Sequence, residues 1–320
     1  MADLITIGDS DIDLFMKVAN DTLVEDDSEN RPKICFYHGT KIPVEQFETS
    51  VAGNALNVAV GCTKLGIKTA LYTEIGDDQN ADKLVEELGG YGVETDLVSK
   101  NKGTLTDAHT VIVYEGERTI FSYHGPRVYD IKDWDTPKWI YYSSMAKGFE
   151  NFQKELIDYV KTTRVGLAFN PGTMHIKIGV ESIKNVLTVC DILFLNKEEA
   201  ELFCGTDKTK STDELTLHKA LHKMGPKLTV ITNGSKGATA YDGSVLVSQA
   251  SYSDDKTIID TTGAGDAFSS GFMSAIIYGK SLKEALKWGV INSGNSIKEM
   301  GALKGLTDKK TIEKLAGSIK

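Results

Sequence analysis

The sequence predicts an α/β protein: a doubly wound, mostly parallel sheet carrying a small β lid. Two observations carry that expectation. Short β-rich runs alternate with amphipathic helical runs along most of the 320 residues, and two stretches, 31–50 and 106–125, hold β-type runs with no helix between them. Alternation of this kind builds βαβ units, whose strands pair in parallel with helices on both faces.

LITIG (4–8) reads as a strand ending in glycine, and ALNVAVGCTKLG (55–66) as a helix with Gly66 as its stop. KTALYTEIG and ADKLVEELGG repeat the pair, followed by WIYYSS as strand and FENFQKELIDYVK as helix. VGLAFN and DILFLN are strands, KEEAELF and ELTLHKALHKMG helices, KLTVIT a strand, and the apolar run behind DTTGAGD a helix. TDAHTVIVYEGERTIFSYHG (106–125) has the form of a hairpin turning at Glu115-Gly116-Glu117. With RPKICFYHGTKIPVEQFETS (31–50) it reads as a β layer projecting from the sheet. Ligands of α/β sheets bind beyond the carboxyl ends of the strands, so such a layer is placed to cover a site and exclude water. Residues 1–320 read as one domain, with EDDSEN (25–30) as a solvated acidic loop.

Hydrophobic content of 41% and charged content of 25% are those of an ordinary globular chain. The net charge is −9, with a pI near 5.3 and no Lys/Arg cluster, which argues against nucleic acid as a partner. The start, MADLITIGDSDID, is acidic without the apolar core of a signal peptide, and no run approaches the ~18 apolar residues of a membrane span. The expected location is cytoplasmic, away from membranes. Cys35, Cys62, Cys190 and Cys204 lie far apart with no CxxC spacing, so they read as small apolar residues rather than zinc ligands or disulfides.

Chemistry concentrates in DTTGAGDAF (260–268). Gly263, Ala264 and Gly265 bring backbone to a helix start, where unpaired N–H groups and the macrodipole favour an anion such as phosphate. Asp266 follows at once; its plain reading is a first-turn acid. In AGNALNVAVGCTKLG, Gly53, Asn54 and Asn57 lie at the first turn of a helix, and asparagine offers both donor and acceptor to vicinal hydroxyls. Asp11 and Asp13 in GDSDID are acceptors for a diol or members of a solvated turn. Asn196 and Glu199 in LNKEEAELF have capping-box spacing, and equally suit the water shell of Mg²⁺. Thr232, Gly234 and Gly237 in VITNGSKG fit a tight turn or a phosphate contact. His218 and His222 are four apart beside Lys219 and Lys223, with no third ligand near, and read as an exposed helix face. GxxxxGK[ST] is absent, and Phe268 stands where a GxGxxG motif needs glycine or alanine.

AGNALNVA (52–59) and DTTGAGDAF (260–268), with the early Asp pair and NxxE between, resemble the signatures of the ribokinase (PfkB) carbohydrate kinase family over nearly the whole chain. The resemblance implies a kinase moving the γ-phosphoryl of ATP to a hydroxyl of a sugar or sugar-like acceptor. By position, Asp266 is then the general base and the Gly263, Ala264 and Gly265 amides the anion hole. Asn196 and Glu199 support Mg²⁺ and the phosphates, and Thr232, Gly234 and Gly237 match the nucleotide-phosphate loop. Asp13, Gly53, Asn54 and Asn57 fall at the acceptor, which Asp11, read above as a diol acceptor, would join, and Asp260 and Thr262 where some members bind a monovalent cation such as K⁺. Ala52 replaces the first glycine of the usual pair, Asn54 a lysine, and Ser143, Ser144 and Asn170 stand without the acids of many relatives, which opens the identity of the acceptor. An uncharged sugar is favoured because no arginine cluster stands out at the expected acceptor site, with Lys17, Arg118 and Arg127 the candidate partners for a phosphate. A nucleoside acceptor stays open, with Phe15, Phe36, Tyr37 and Tyr123 to stack a base or pack the lid, as does a nucleotide-binding sensor without turnover. An exposed lid edge offers a surface for a lid-to-lid homodimer.

Overall fold

Nine runs rich in branched and aromatic residues pair into one sheet. They are β1 (Leu4–Ile7), β6 (Thr69–Gly76), β7 (Val98–Asn101), β10 (Trp139–Tyr142), β11 (Gly166–Phe169), β12 (Ile192–Asn196), β13 (Leu228–Thr232), β14 (Ala238–Tyr241) and β15 (Leu246–Gln249). Their order is β15-β14-β13-β12-β11-β10-β1-β6-β7. From β7 to β13 every pairing is parallel, and β14 and β15 add antiparallel at one edge. The computed structural model describes residues 1–19, 23–26, 32–114, 117–132, 134–206, 212–252 and 258–319.

Ten helices connect and flank these strands among the described residues: α1 (Asn54–Lys64), α2 (Gln79–Tyr91), α3 (Glu150–Thr163), α4 (Thr173–Ile178), α5 (Val180–Leu187), α6 (Lys197–Phe203), α7 (Glu214–His222), α8 (Ala264–Ile277), α9 (Leu282–Ser296) and α10 (Lys309–Ser318). Both faces of the sheet are covered, so its strands are apolar on successive residues. In β10, Ile140 and Tyr142 pack with Phe152 and Leu156 of α3, whereas Tyr141 between them joins Phe272 of α8 and Trp288 of α9. The alternation read from the sequence is thereby observed; α4, α5, α9, α10, β7, β14 and β15 extend it.

A second, four-stranded sheet has the order β5-β2-β8-β9, from β2 (Asp11–Val18), β5 (Val44–Ala52), β8 (Asp107–Tyr114) and β9 (Glu117–Tyr123). β8 and β9 form the expected hairpin; Glu115 and Gly116 at its tip lie outside the described residues. The sequence reading missed β2. DIDLFMKV is a strand, not a turn after β1, and it pairs with β5 on one side and in parallel with β8 on the other. Its acids stand on one face, with Ile12 buried on the other. A ribbon of β3 (Leu23–Asp26) and β4 (Pro32–Cys35) adjoins β2 in sequence. Glu25 and Asp26 of the stretch read as an acidic loop therefore end β3, and 27–30 lie outside the described residues.

His218 also differs from its expected place. It is fully buried, with Nδ1 2.7 Å from Thr229 Oγ1 and Nε2 2.9 Å from Thr239 Oγ1, because α7 lays this side chain onto β13 and β14. Cys62 and Cys190 are buried as expected, Cys35 and Cys204 only partly. Among the described residues no helix is long and apolar enough to cross a membrane.

Candidate active site

Apart from Asp266 in its first turn, helix α8 is apolar or small on every side, as a helix enclosed by others must be. Gly61 of α1 lets α8 approach so closely that a Cβ there would strike Ser270. The contact brings two helix starts together. Asn54 and Asn57 of α1 reach Asp266 in the first turn of α8, Asn54 Nδ2 donating to Oδ1 at 3.2 Å and Asn57 Nδ2 to Oδ2 at 2.8 Å. Asp266 is buried, and burial pushes its carboxyl up to about 7 against the lowering effect of these two amides. Asn57 Oδ1 is buried without a hydrogen bond. Asn292 of α9 braces the same turn, its Nδ2 donating to Ala267 O at 3.0 Å; this residue drew no attention in the sequence.

Gly263 caps α8 at φ +70°, a left-handed conformation, and its missing Cβ makes room for Ala302. Ala264 N–H turns back to Thr261 O at 3.3 Å. The N–H groups of Gly265 and Asp266 lie in the first turn, where helix geometry gives them no partner. A Cβ on Gly265 would meet open space.

That space is a cavity of about 220 Å³ lined by Asn54, Asn170, Asn196, Glu199, Gly265 and Asp266 among others. It shares Asn196, Thr232, Thr261, Ala264 and Gly265 with a larger cavity of about 560 Å³, where Gly234, Gly237, Tyr252, Phe268, Val290 and Gly294 also line the wall. The larger cavity is of a size and apolarity suited to a nucleotide base and sugar. Thr232, Gly234 and Gly237 thus line it together, at the carboxyl end of β13. The tight turn there is real too: Gly237 N–H bonds Gly234 O at 3.0 Å. Asn196 and Glu199 form the reciprocal capping box of α6, Glu199 N–H to Asn196 Oδ1 at 2.8 Å and Asn196 N–H to Glu199 Oε2 at 2.9 Å. Burial raises the Glu199 carboxyl above its ordinary range.

Asp11 and Asp13 are buried on one face of β2. Gly53, at φ +125°, lets the Asp9–Ser10 backbone lie against the start of α1, since a Cβ there would sit 2.5 Å from Asp9 O. His109, beside Asp13 on β8, places Nδ1 3.3 Å from Asp13 Oδ1 and 3.5 Å from Asp11 Oδ1. The hydrogen bond to Asp13, opposed by partial burial, raises the His109 pKa. Asp107 below it binds His124 Nδ1 at 2.7 Å and the buried Arg127. Burial lifts Asp9 and Asp11 to about 7. Asp9, Asp107, His109 and His124 were not singled out in the sequence, because their grouping depends on pairing between distant strands.

The cations named for a phosphate are occupied. Lys17 pairs with Glu45 at 3.0 Å, Arg127 with Asp107, and Arg118 with Asp260 at 3.0 Å. Of the aromatic candidates, Phe15 is buried, while Phe36, Tyr37 and Tyr123 are exposed. The register puts Tyr123 on the face opposite Asp13.

The pattern of pfkB family carbohydrate kinases matches residues 7–309. The chain belongs to that family. As a pfkB carbohydrate kinase it is an ATP-dependent enzyme that phosphorylates a hydroxyl of a sugar or sugar-like acceptor. An ATP-dependent 6-phosphofructokinase of Thermoanaerobacterium thermosaccharolyticum is 28% identical over 87% of this chain and 88% of its own length. A nucleoside kinase of Methanothermobacter thermautotrophicus is 27% identical over 76% and 77%. The structure of Arabidopsis thaliana ribokinase with ribose and ATP superposes with a TM-score of 0.81 over 98% of both chains at 22% identity. The ribokinase-like fold expected from the sequence is therefore the fold of this pfkB kinase.

Proposed function

We propose that this kinase phosphorylates an uncharged sugar or polyol, with Asp266 as general base and the start of α8 as the anion hole. The observation that carries the reading is the Asn54–Asn57–Asp266 contact, of which Asn54 and Asp266 line the smaller of the two adjoining cavities. ATP lies in the larger cavity along Thr232, Gly234 and Gly237, its γ-phosphoryl against Gly263 and the N–H groups of Gly265 and Asp266. Asp266 takes the proton of the acceptor hydroxyl as its oxygen bonds to γ-phosphorus, the bond to the β,γ-bridging oxygen breaks, and ADP leaves. Such transfer is dominated by positioning and charge stabilisation, which backbone donors at a helix start supply. One Glu199 carboxylate oxygen is taken by the capping box, and the other fits the water shell of Mg²⁺, which would shield the phosphate charge.

Asp11 and Asp13 receive acceptor hydroxyls, and Asn54, which lines the smaller cavity, joins them. The acidic side chains of Asp9, Asp11, Asp13 and Asp107 crowd this region, and Lys17, Arg118 and Arg127 are each already paired with an acid, so no cation among these three is unengaged to meet an acceptor that already carries a phosphate. The smaller sheet serves as the lid of a single catalytic domain. Its outer face exposes Phe47, Phe121 and Tyr123, and its edges β5 and β9 lack outer partners among the described residues, which suits pairing with a second copy. Sedimentation as a monomer at micromolar concentration would remove the dimer. ATP as donor fits work in the cytoplasm.

The test is ADP release from ATP and Mg²⁺ across pentoses, hexoses, polyols, nucleosides and sugar phosphates. Strong stimulation by an uncharged sugar or polyol supports the reading. Stimulation by a sugar phosphate overturns the acceptor class, a nucleoside transfers the site to the other branch of the family, and ATP binding with no stimulation by any acceptor speaks for a sensor.

A further inference from the structure

Arg118 stands on β9 of the smaller sheet, yet its guanidinium ends in the loop before α8. Nη1 donates to Asp260 Oδ1 at 3.0 Å and to Thr262 Oγ1, and Nη2 to Thr261 Oγ1 at 3.0 Å. Asp260 Oδ1 also accepts from Thr262 N–H at 2.9 Å and Thr262 Oγ1 at 2.7 Å, while Oδ2 accepts from Gly301 N–H at 2.9 Å. Oδ1, with two lone pairs, thus faces three donors, and Oδ2 one. A monovalent cation bound through Asp260 and Thr262 would have to expel the guanidinium and share the loop with its charge. The residues therefore do not fit K⁺ beside Arg118.

We propose that Arg118 is itself the cation of this loop. It is a positioning residue: its charge holds Asp260–Thr262, and through them the Gly263 cap of α8, in the shape that receives the phosphoryl group. Because the charge belongs to the smaller sheet, the anion hole is fully braced only while that sheet lies over the cleft, and no added monovalent ion is needed. The proposal rests on the kinase reading for its meaning in turnover, but the cation question itself does not.

The experiment compares wild type, Arg118→Gln and Arg118→Lys in tetramethylammonium buffer with and without K⁺, reading Tm with Mg-ATP and acceptor-stimulated ADP release. Wild type is expected to be indifferent to K⁺ in both readouts. Arg118→Gln should lose about 10- to 100-fold in kcat without K⁺, the scale of one charge-assisted hydrogen bond, and K⁺ should raise both its Tm and its turnover. Arg118→Lys, which keeps the charge, should stay insensitive to K⁺. Stimulation of the wild type by K⁺, or an Arg118→Gln protein that K⁺ neither stabilises nor reactivates, overturns the proposal. A K⁺-dependent Tm in Arg118→Gln alone, with no ADP release from any variant or acceptor, leaves Arg118 as the loop cation and defeats the kinase reading instead.

Discussion

Asn57 and Asp266, 209 positions apart in the chain, meet at 2.8 Å where the first turns of α1 and α8 face each other. Burial alone would keep the Asp266 carboxyl protonated well into the neutral range, and the amides of Asn57 and Asn54 draw it back to about 7. A base so poised is half charged near neutral pH and strong enough to take a hydroxyl proton as the phosphoryl group arrives.

Asp266→Asn is expected to lower kcat by about 10²–10⁴-fold with little change in ATP affinity. The substitution also reports on linkage. A carboxyl near 7 in the fold and near 3.8 unfolded holds its proton longer in the folded state, so its contribution to stability falls as pH rises from about 4 to 7. The Tm difference between variant and wild type should therefore move in favour of the variant between pH 5 and pH 8. Near-wild-type turnover in Asp266→Asn would sink the base assignment.

Asn57→Ala removes the shorter of the two amide donors. The Asp266 carboxyl then moves above about 7, and the rising limb of the pH–kcat/KM profile follows it to higher pH. A carboxyl is only about one-tenth ionised when the pH lies one unit below its midpoint, so activity at pH 7 should fall and be partly regained at pH 9. A flat loss across the whole range would mean that Asn57 acts on the acceptor alone.

What was legible in the sequence is what local spacing encodes. The strand–helix alternation, the glycines of DTTGAGD and the NxxE box each lie within a dozen residues, and each forms as read. The acid-bearing strand β2 escaped because Asp11 and Asp13 interrupt its apolar pattern on the face that carries the site. His109 beside Asp13, and Arg118 beside Asp260, escaped because strand pairing and loop packing join residues 96 and 142 positions apart by their numbers. His218 misled for another reason: helical spacing gives the face of a residue, whereas its depth depended on Thr229 and Thr239 of strands not yet placed.

His218→Leu should therefore act on stability and leave kcat alone. It leaves the Thr229 and Thr239 hydroxyls without their ring partner, at a cost of about 1–3 kcal/mol. Burial holds the His218 pKa at about 4, well below the unfolded value near 6.5. The fold binds its neutral form, so the stability it gives is full above pH 6.5 and is lost as pH falls toward 4. Wild type should lose Tm faster than His218→Leu between pH 6.5 and 4.5; parallel curves would contradict the buried neutral ring.

The two glycines of GAG should separate strain from chemistry. Gly263→Ala forces a side chain into a left-handed conformation, costing roughly 1–2 kcal/mol, and drives its Cβ into Ala302. Lower Tm and lower activity should appear together. Gly265 is helical and its Cβ would face open space, so Gly265→Ala should hold or raise Tm, helix propensity adding up to about 1 kcal/mol of stability. The same methyl group stands where the γ-phosphoryl must reach the N–H groups of α8, and losing one such donor costs about 10²–10³-fold in turnover. A stable Gly265→Ala enzyme with wild-type kcat/KM for ATP would move the phosphoryl group away from this helix start.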